Sequence, residues 1–321
     1  MSASGGSPRI SIVIRCYNEE QHIGKLLAGI TQQTVQDVEI IIVDSGSTDA
    51  TLAIASRYPV KIIQIAPADF TFGRALNIGC DAAIGDYIVL ASAHVYPLYR
   101  DWLEKLVANF TDDRVALVYG KQRGNEQSWY SEQRIFEKWF PDSSVNFQSH
   151  PFCNNANAAI RRSVWQSIPY DENLTGLEDL DWARKVLTAS YRMSYSAEAE
   201  IVHLHEESPS RVLNRYRREA IAMKAIFPEE RFSLFDFIKL FITNSLSDLY
   251  HAFHHHLFFK KMVEIIQFRF MQFFGTYRGY GQQGPVSAQL KDRFYYPNQM
   301  KRPGVSVSAD TDSRKIDYST M

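Results

Sequence analysis

Cysteine is scarce: Cys16, Cys80 and Cys153 are the three in 321 residues. An odd number at such distances argues against a disulfide framework, and no CxxC or Cys/His zinc spacing is present. A reduced, cytoplasmic setting is expected. No run of about 18 apolar residues occurs, so no spanning helix is expected. Residues 1–8 lack a basic start followed by an apolar stretch and read as a flexible N-terminus rather than a secretory signal. Neither sign of charge is in excess, with 35 Lys and Arg against 36 Asp and Glu. That removes the broad basic field of a general nucleic-acid binder, and no nucleic-acid partner is expected. No internal repeat is found.

What the chain does have is alternation. The β-branched runs Ile10 to Arg15, Val38 to Asp44, Val60 to Ile65, Tyr87 to Ala91 and Val115 to Tyr119 read as strands. Between them, Glu19 to Thr31, Ala50 to Tyr58, Gly73 to Ala83 and Trp102 to Phe110 carry apolar residues at helical spacing. Strands joined through helices form right-handed βαβ units, which predicts an α/β domain with a mainly parallel sheet. Residues 121–160, rich in Gln, Asn, Ser and aromatics, read as excursions over the sheet. Ser163 to Ile168 and Leu180 to Ala189 read as helices, and Met193 to His203 as strand. Ser210 to Ile226 is a basic helix with Ser210 as its cap. Residues 233–274 form one or two aromatic helices, followed by a glycine-rich exit over 275–284.

In a doubly wound sheet, ligands bind beyond the carboxyl ends of the strands. The first strand delivers Arg15, Tyr17, Asn18 and Glu19 there. The second delivers Asp44, Ser45, Ser47 and Asp49, and the fourth delivers Ser92 and His94. Asp44 suits hydrogen bonds from a base or ribose, and Tyr17 offers a ring for stacking. The competing reading is that Ser47 and Asp49 simply cap the next helix.

The joint pattern is more specific. Ser11 to Glu19 (SIVIRCYNE) followed by Ile42 to Thr51 (IVDSGSTDAT) resembles the opening of family 2 glycosyltransferases with the GT-A fold. Gly79 to Ile88 (GCDAAIGDYI), Asn154 to Arg162 and Glu178-Asp179 continue the resemblance, which covers roughly residues 9–210. Within the family, rhamnosyltransferase-like members of capsule and O-antigen pathways are most similar. The resemblance implies a GT-A nucleotide-diphospho-sugar transferase fold and inverting transfer of a sugar from a nucleotide-diphosphate donor, UDP- or dTDP-linked, to an acceptor hydroxyl. It also implies a role in cell-surface polysaccharide assembly. On that basis Arg15, Tyr17, Asn18, Glu19, Asp44, Ser45, Ser47, Asp49, Arg74, Asn77, Ser92 and His94 are the donor-binding candidates.

Such transfer needs a base for the acceptor proton and positive charge for the leaving diphosphate. The family usually meets the second need with a divalent metal, Mn or Mg, held by a DxD motif. Here Ser92-Ala93-His94 stands at that position. His94 is therefore a metal ligand, a direct diphosphate donor or a structural residue, and imidazole is a poor Mg²⁺ ligand. His203 and His205 share one face of a strand and are candidates to complete a metal shell, or are core histidines. Where the family often has Arg-Asn, this chain has Leu76-Asn77, and Arg74 is the candidate to replace the missing phosphate contact or is a solvated helix arginine. The family resemblance makes Asp179 the base candidate, with Glu178 second. The alternative is an acidic first turn that steadies a helix macrodipole. Asn154, Asn155 and Asn157 are acceptor candidates, because amides both donate and accept toward hydroxyls, or are turn formers.

Four segments are expected: 1–8, a catalytic domain over 9–230, a helical appendage over 231–284, and an extended, flexible tail over 285–321. Pro209 to Tyr280 carries five more basic than acidic residues and a heavy load of phenylalanine. That composition fits a peripheral contact with the inner face of a membrane, where a glycan or lipid-linked glycan acceptor would arrive. It fits equally a subdomain packed on the core or on a second subunit of a homo-oligomer. The run His254 to His256 is unsuited to a single metal site, because consecutive helical positions diverge. A non-catalytic nucleotide-sugar or glycan-binding protein of the same fold is the alternative function.

Overall fold

The computed structural model describes residues 10–205, 207–284 and 314–318. The expected flexible N-terminus and most of the expected tail lie outside these described residues. The strands are β1 (Ile10–Cys16), β2 (Val38–Asp44), β3 (Val60–Gln64), β4 (Tyr87–Ser92), β5 (Val95–Pro97), β6 (Val115–Arg123), β7 (Asn157–Arg161) and β8 (Arg192–His203). The helices are α1 (Ile23–Thr31), α2 (Thr51–Ala55), α3 (Phe72–Ala82), α4 (Trp102–Val107), α5 (Tyr130–Trp139), α6 (Arg162–Ser167), α7 (Glu178–Thr188), α8 (Pro209–Ile226), α9 (Leu234–His254) and α10 (Phe258–Tyr280).

One sheet runs in the order β3-β2-β1-β4-β7-β6-β8-β5. Its first four strands are parallel, as the βαβ pattern requires. Beyond β4 the sheet is mixed, since β7 is antiparallel to both β4 and β6. Side chains alternate across the sheet. Val13, Ile41 and Leu90 pack with α3 and α7 through Leu76 and Trp182 on one face. Ile12, Ile14 and Ile42 pack with α1 and α4 through Leu26 and Trp102 on the other. Burial on both faces explains why β2 reads as an unbroken β-branched run.

The structure revises several expectations. The 121–160 region contains a full helix, α5, and β7 begins at Asn157. Ser208, not Ser210, occupies the cap position of α8. Residues 275–280 of the glycine-rich exit are the last part of α10, and 281–284 follow it. A Cβ on Gly275 would lie 2.5 Å from the Leu213 carbonyl oxygen, and one on Gly279 2.5 Å from that of Arg217. These glycines therefore permit α10 to lie directly against α8, which outweighs their poor helix propensity. The last helix is thus packed directly on α8. Residues 314–318 of the expected tail return to the end of β5: Ile316 N–H donates to Leu98 O at 3.1 Å and Tyr318 Oη to Pro97 O at 2.7 Å. Ile316 and Tyr318 are buried.

Candidate functional site

The register brings the chemistry-bearing ends together. Cys16 pairs with Asp44, Arg15 with Ser92, and Ala91 with Asn157. The ends of β1, β2 and β4 and the start of β7 therefore share one edge of the sheet. Asn18 has a left-handed backbone (φ 54°). Its N–H donates to Ser47 Oγ at 2.8 Å, and its Oδ1 accepts from Thr48 N–H at 2.7 Å. Buried Asp44 accepts from the backbone N–H of Gly46 at 3.0 Å and of Ser47 at 3.1 Å. Asp49 accepts from Thr51 N–H at 2.9 Å and Glu20 N–H at 3.2 Å. These bonds lace the β1–α1 and β2–α2 loops into one rigid rim.

The acidic start of α7 closes over this edge. Leu177 (φ 56°) turns the chain sharply before the helix. Glu178 pairs with Arg15 at 3.1 Å. The Arg15 and Arg218 guanidiniums lie over Phe72 at 5.0 and 4.7 Å from its ring centre. Asp179 accepts from Leu180 N–H at 2.8 Å and from Asn155 N–H at 3.3 Å, which ties it to the segment entering β7. Burial and the adjacent Glu178 charge raise the Asp179 carboxyl to about 7, against the lowering pull of those N–H groups and Arg15. A carboxyl so placed can exchange a proton near neutral pH. Asp181 faces elsewhere, pairing with Arg184 at 3.0 Å and Lys185 at 2.6 Å.

A third cluster sits where β4 gives way to β5. Val95 pairs with His203, and Leu204 N–H donates to the His94 carbonyl at 3.1 Å, so His94, His203 and His205 are neighbours. Their ring centres are 5.1 Å (His94–His203), 4.1 Å (His203–His205) and 5.7 Å (His94–His205) apart. One ring nitrogen of each lies within 4.8 Å of the other two, the sole such metal-capable group found among the described residues. Burial, then the neighbouring His205, His94 and Arg215, hold His203 well below the usual imidazole range, so it is neutral. Buried Glu132 bonds His205 Nδ1 at 2.8 Å and Arg215 at 2.7 Å. Burial alone would raise its carboxyl, but these two partners bring it down to about 2.

Residues 11–168 match the model of Glycosyl transferase family 2. The chain is a family 2 glycosyltransferase. The O-antigen chain rhamnosyltransferase WbaN of Salmonella anatum is 28% identical over 222 residues, covering 65% of this chain and 70% of that one. RfbN of Salmonella typhimurium, also an O-antigen chain rhamnosyltransferase, is 28% identical over 221 residues, 65% and 70% of the two chains. Among solved structures, the mannosyltransferase PcManGT from Pyrobaculum calidifontis, in complex with GDP-Man and Mn²⁺, superposes with a TM-score of 0.58 at 17% identity. It covers 82% of this chain and 86% of that one, a likeness of fold.

Within this transferase the sequence candidates divide. Tyr17, Glu19, Ser92, His94, Asn154 and Asp179 are partly open at the strand-end rim. Asn18, through its N–H and Oδ1, and Asp44, Ser47 and Asp49 hold the rim, and Ser45 is buried with its hydroxyl toward Cys16 O. Arg74 is exposed and pairs with Glu172 at 3.4 Å. Asn77 clamps α3 to the segment after α6, binding Tyr170 O, Tyr170 N–H, Glu172 and Trp165 Nε1. Asn157 is a correction to the acceptor set. Fully buried, it bonds Trp102 Nε1, Lys121 O and Ala199 O, leaving nothing to offer a sugar. Asn155 is also buried, with its Oδ1 accepting from Tyr170 Oη at 3.4 Å. A cavity of about 280 Å³ opens instead beside Gln122, walled by Lys121, Phe136, Phe140 and Glu200.

Sequence reasoning missed Gln122, Glu132 and Arg215. Glu132 lies in the stretch read as irregular, although Tyr130 to Trp139 has an amphipathic pattern. Arg215 belongs to the charge excess read as membrane-facing, but it is half-buried between Glu132 and Glu207, and Arg269 is buried against Asp248.

Proposed function

We propose that this transferase moves a sugar from a UDP- or dTDP-linked donor to an acceptor hydroxyl with inversion at the anomeric carbon, in O-antigen or capsule assembly. The observation that carries the reading is Asp179: a carboxyl poised near neutral pH, beside Arg15 and Glu178, at the edge where β1, β2 and β4 end. Asp179 takes the proton of the acceptor hydroxyl as its oxygen attacks the anomeric carbon. The bond from that carbon to the diphosphate oxygen breaks on the opposite face, and its electron pair leaves with the diphosphate. Tyr17 and the β1–α1 and β2–α2 rim are assigned to the nucleotide, and the Gln122 cavity, with aromatic and charged walls, to the acceptor. His94, His203 and His205 fit a divalent cation, whose contribution when bound is to offset the charge on the leaving diphosphate. The names of the Salmonella relatives, O-antigen chain rhamnosyltransferases, support the O-antigen part of this reading.

No helix among the described residues is long and apolar enough to cross a membrane. Phe235, Phe253, Phe259 and Val263 are nonetheless exposed on α9 and α10, with Lys239 and Lys260 exposed beside them. We assign this surface to peripheral contact with the inner face of a membrane, which would bring a lipid-linked acceptor to the cleft.

The test is Asp179→Asn, assayed for transfer and, by calorimetry, for donor binding. Turnover is expected to fall by roughly 10²–10⁴-fold with donor affinity retained. Unchanged turnover rejects the role. Donor binding by the unmodified protein, with no transfer to any acceptor in a broad panel, favours the non-catalytic binding protein, which the missing DxD carboxylates also suit.

A further inference from the structure

We propose that His94, His203 and His205 form a three-nitrogen cation site that takes Zn²⁺, Co²⁺ or Mn²⁺ well ahead of Mg²⁺. In this proposal Glu19, Gln122 and Glu132 are the positioning residues that aim its ligands. The proposal deepens the functional reading above by naming the ion and its supporting groups, and its test does not depend on sugar transfer.

Three observations converge. First, the three histidines come from separate places, the β4–β5 turn, the last residue of β8 and two residues beyond it, yet their rings face one another. Nitrogens sharing one ion at about 2.0–2.1 Å each are at most about 4 Å apart, and one ring nitrogen of each histidine already lies within 4.8 Å of the other two. Second, each ring is anchored through Nδ1. His94 Nδ1 meets Glu19 Oε1 at 2.8 Å, His203 Nδ1 meets Gln122 Oε1 at 2.7 Å, and His205 Nδ1 meets Glu132 Oε1 at 2.8 Å. All three partners present an oxygen to Nδ1, so with the proton held there Nε2 is the nitrogen left to bind an ion. This is the arrangement in which metal-binding histidines are held by outer carboxylates or carbonyls. Third, His203 Nε2 is buried and has no hydrogen-bond partner. A structural role for the trio would leave that lone pair without purpose, whereas an ion would use it.

The donor set determines the selectivity. Mg²⁺ requires oxygen ligands in a near-ideal octahedron, whereas imidazole suits later first-row ions, with affinity rising from Mn²⁺ through Co²⁺. Three neutral imidazoles would also leave the ion's double charge undiminished by direct carboxylate ligands. Its remaining positions would be free for diphosphate oxygens. Phe136 packs against the His203 and His205 rings, at 6.0 and 6.2 Å between centres, and Arg215 braces Glu132. The site is therefore linked to α5 and α8 as well as to the strand ends.

The experiment uses the full chain without an affinity tag, stripped with chelator. His254, His255 and His256 are replaced by Ala so that this exposed run does not contribute. Calorimetry and equilibrium dialysis are run with Zn²⁺, Co²⁺, Mn²⁺ and Mg²⁺ alone, and Co²⁺ is also followed by its visible absorption. One equivalent of Co²⁺ or Zn²⁺ is expected, with Mg²⁺ at least 100-fold weaker. His94→Ala and His203→Ala should each abolish stoichiometric binding, while Glu132→Gln and, independently, Glu19→Gln should weaken it 10–100-fold with unchanged circular dichroism. Absence of stoichiometric binding, equal affinity for Mg²⁺, or binding indifferent to both histidine substitutions overturns the proposal. Loss of transfer in Asp179→Asn with metal binding intact concerns the base alone, so the two readings fail separately.

Discussion

The strand-end cleft and the α9–α10 hairpin break the usual sorting of residues in opposite directions. In the cleft, charge is withdrawn from water: Asp44, Glu132 and Glu178 are buried, each held by named donors. In the hairpin, apolar surface is left in water, with Phe259 at 92% exposure and Phe235 and Val263 at 71%. The hairpin is also polar within. Asp248 and Arg269 pair at 2.7 Å in its interior, and Glu264 accepts the Tyr130 N–H. A helix pair stabilised only by burying its apolar face would be built the other way round. The cleft holds polar groups in fixed positions, while the hairpin leaves apolar groups uncovered by the described residues.

This contrast can be strained at several points. The largest effect should come from the Asp179 carboxyl. With Asp179 as the proposed base, transfer uses its ionised form, so kcat/KM is expected to rise about tenfold per pH unit up to about 7 and then level, and Asp179→Asn should lose that limb. Stability should move oppositely. The folded protein keeps a proton that the unfolded chain has released, so this carboxyl's contribution falls as pH rises from about 4 to about 7. Asp179→Asn should therefore melt higher than the unmodified protein at pH 8, with the gap closing toward pH 4. Next comes the hairpin interior. Arg269→Met alone strands a buried carboxylate and should cost about 3–5 kcal/mol in urea denaturation, much of which Asp248→Leu in the same chain should restore. The smallest stability effect belongs to the outer face. Phe235→Ser, Phe259→Ser and Val263→Ser should each shift stability by no more than about 0.5 kcal/mol. Together they should sharply reduce co-sedimentation with anionic vesicles, and unchanged co-sedimentation would remove the membrane from the account.

The parallel half was legible because its signals are local. Val38 to Asp44 shows its two-sided burial as an unbroken β-branched run, and the polar residues that end β1, β2 and β4 follow from strand direction alone. The mixed half was not. β7 is five residues long and opens on an asparagine, and only its antiparallel partners, β4 and β6, make it a strand. Asn157 read as a sugar ligand because nothing nearby in sequence announces its bonds to Trp102, Lys121 and Ala199. Gly275 and Gly279 read as a break because their purpose lies on α8. Arg215 read as surface charge because its partners, Glu132 and Glu207, are distant or belong to a loop. In each case the missing information was a contact across the chain.

The return of residues 314–318 bears on how the molecule assembles. Tyr318 reaches Pro97 across 221 positions, and Ile316 bonds the chain just after β5, the last strand of the sheet. Closing so long a loop is entropically costly and slow compared with pairing neighbours such as β1 and β2. The parallel half can therefore form early, while the far margin of the sheet waits for its clasp. During that interval unpaired backbone groups beside β5 are open to other chains, so crowded refolding favours strand-to-strand association over completion of the monomer.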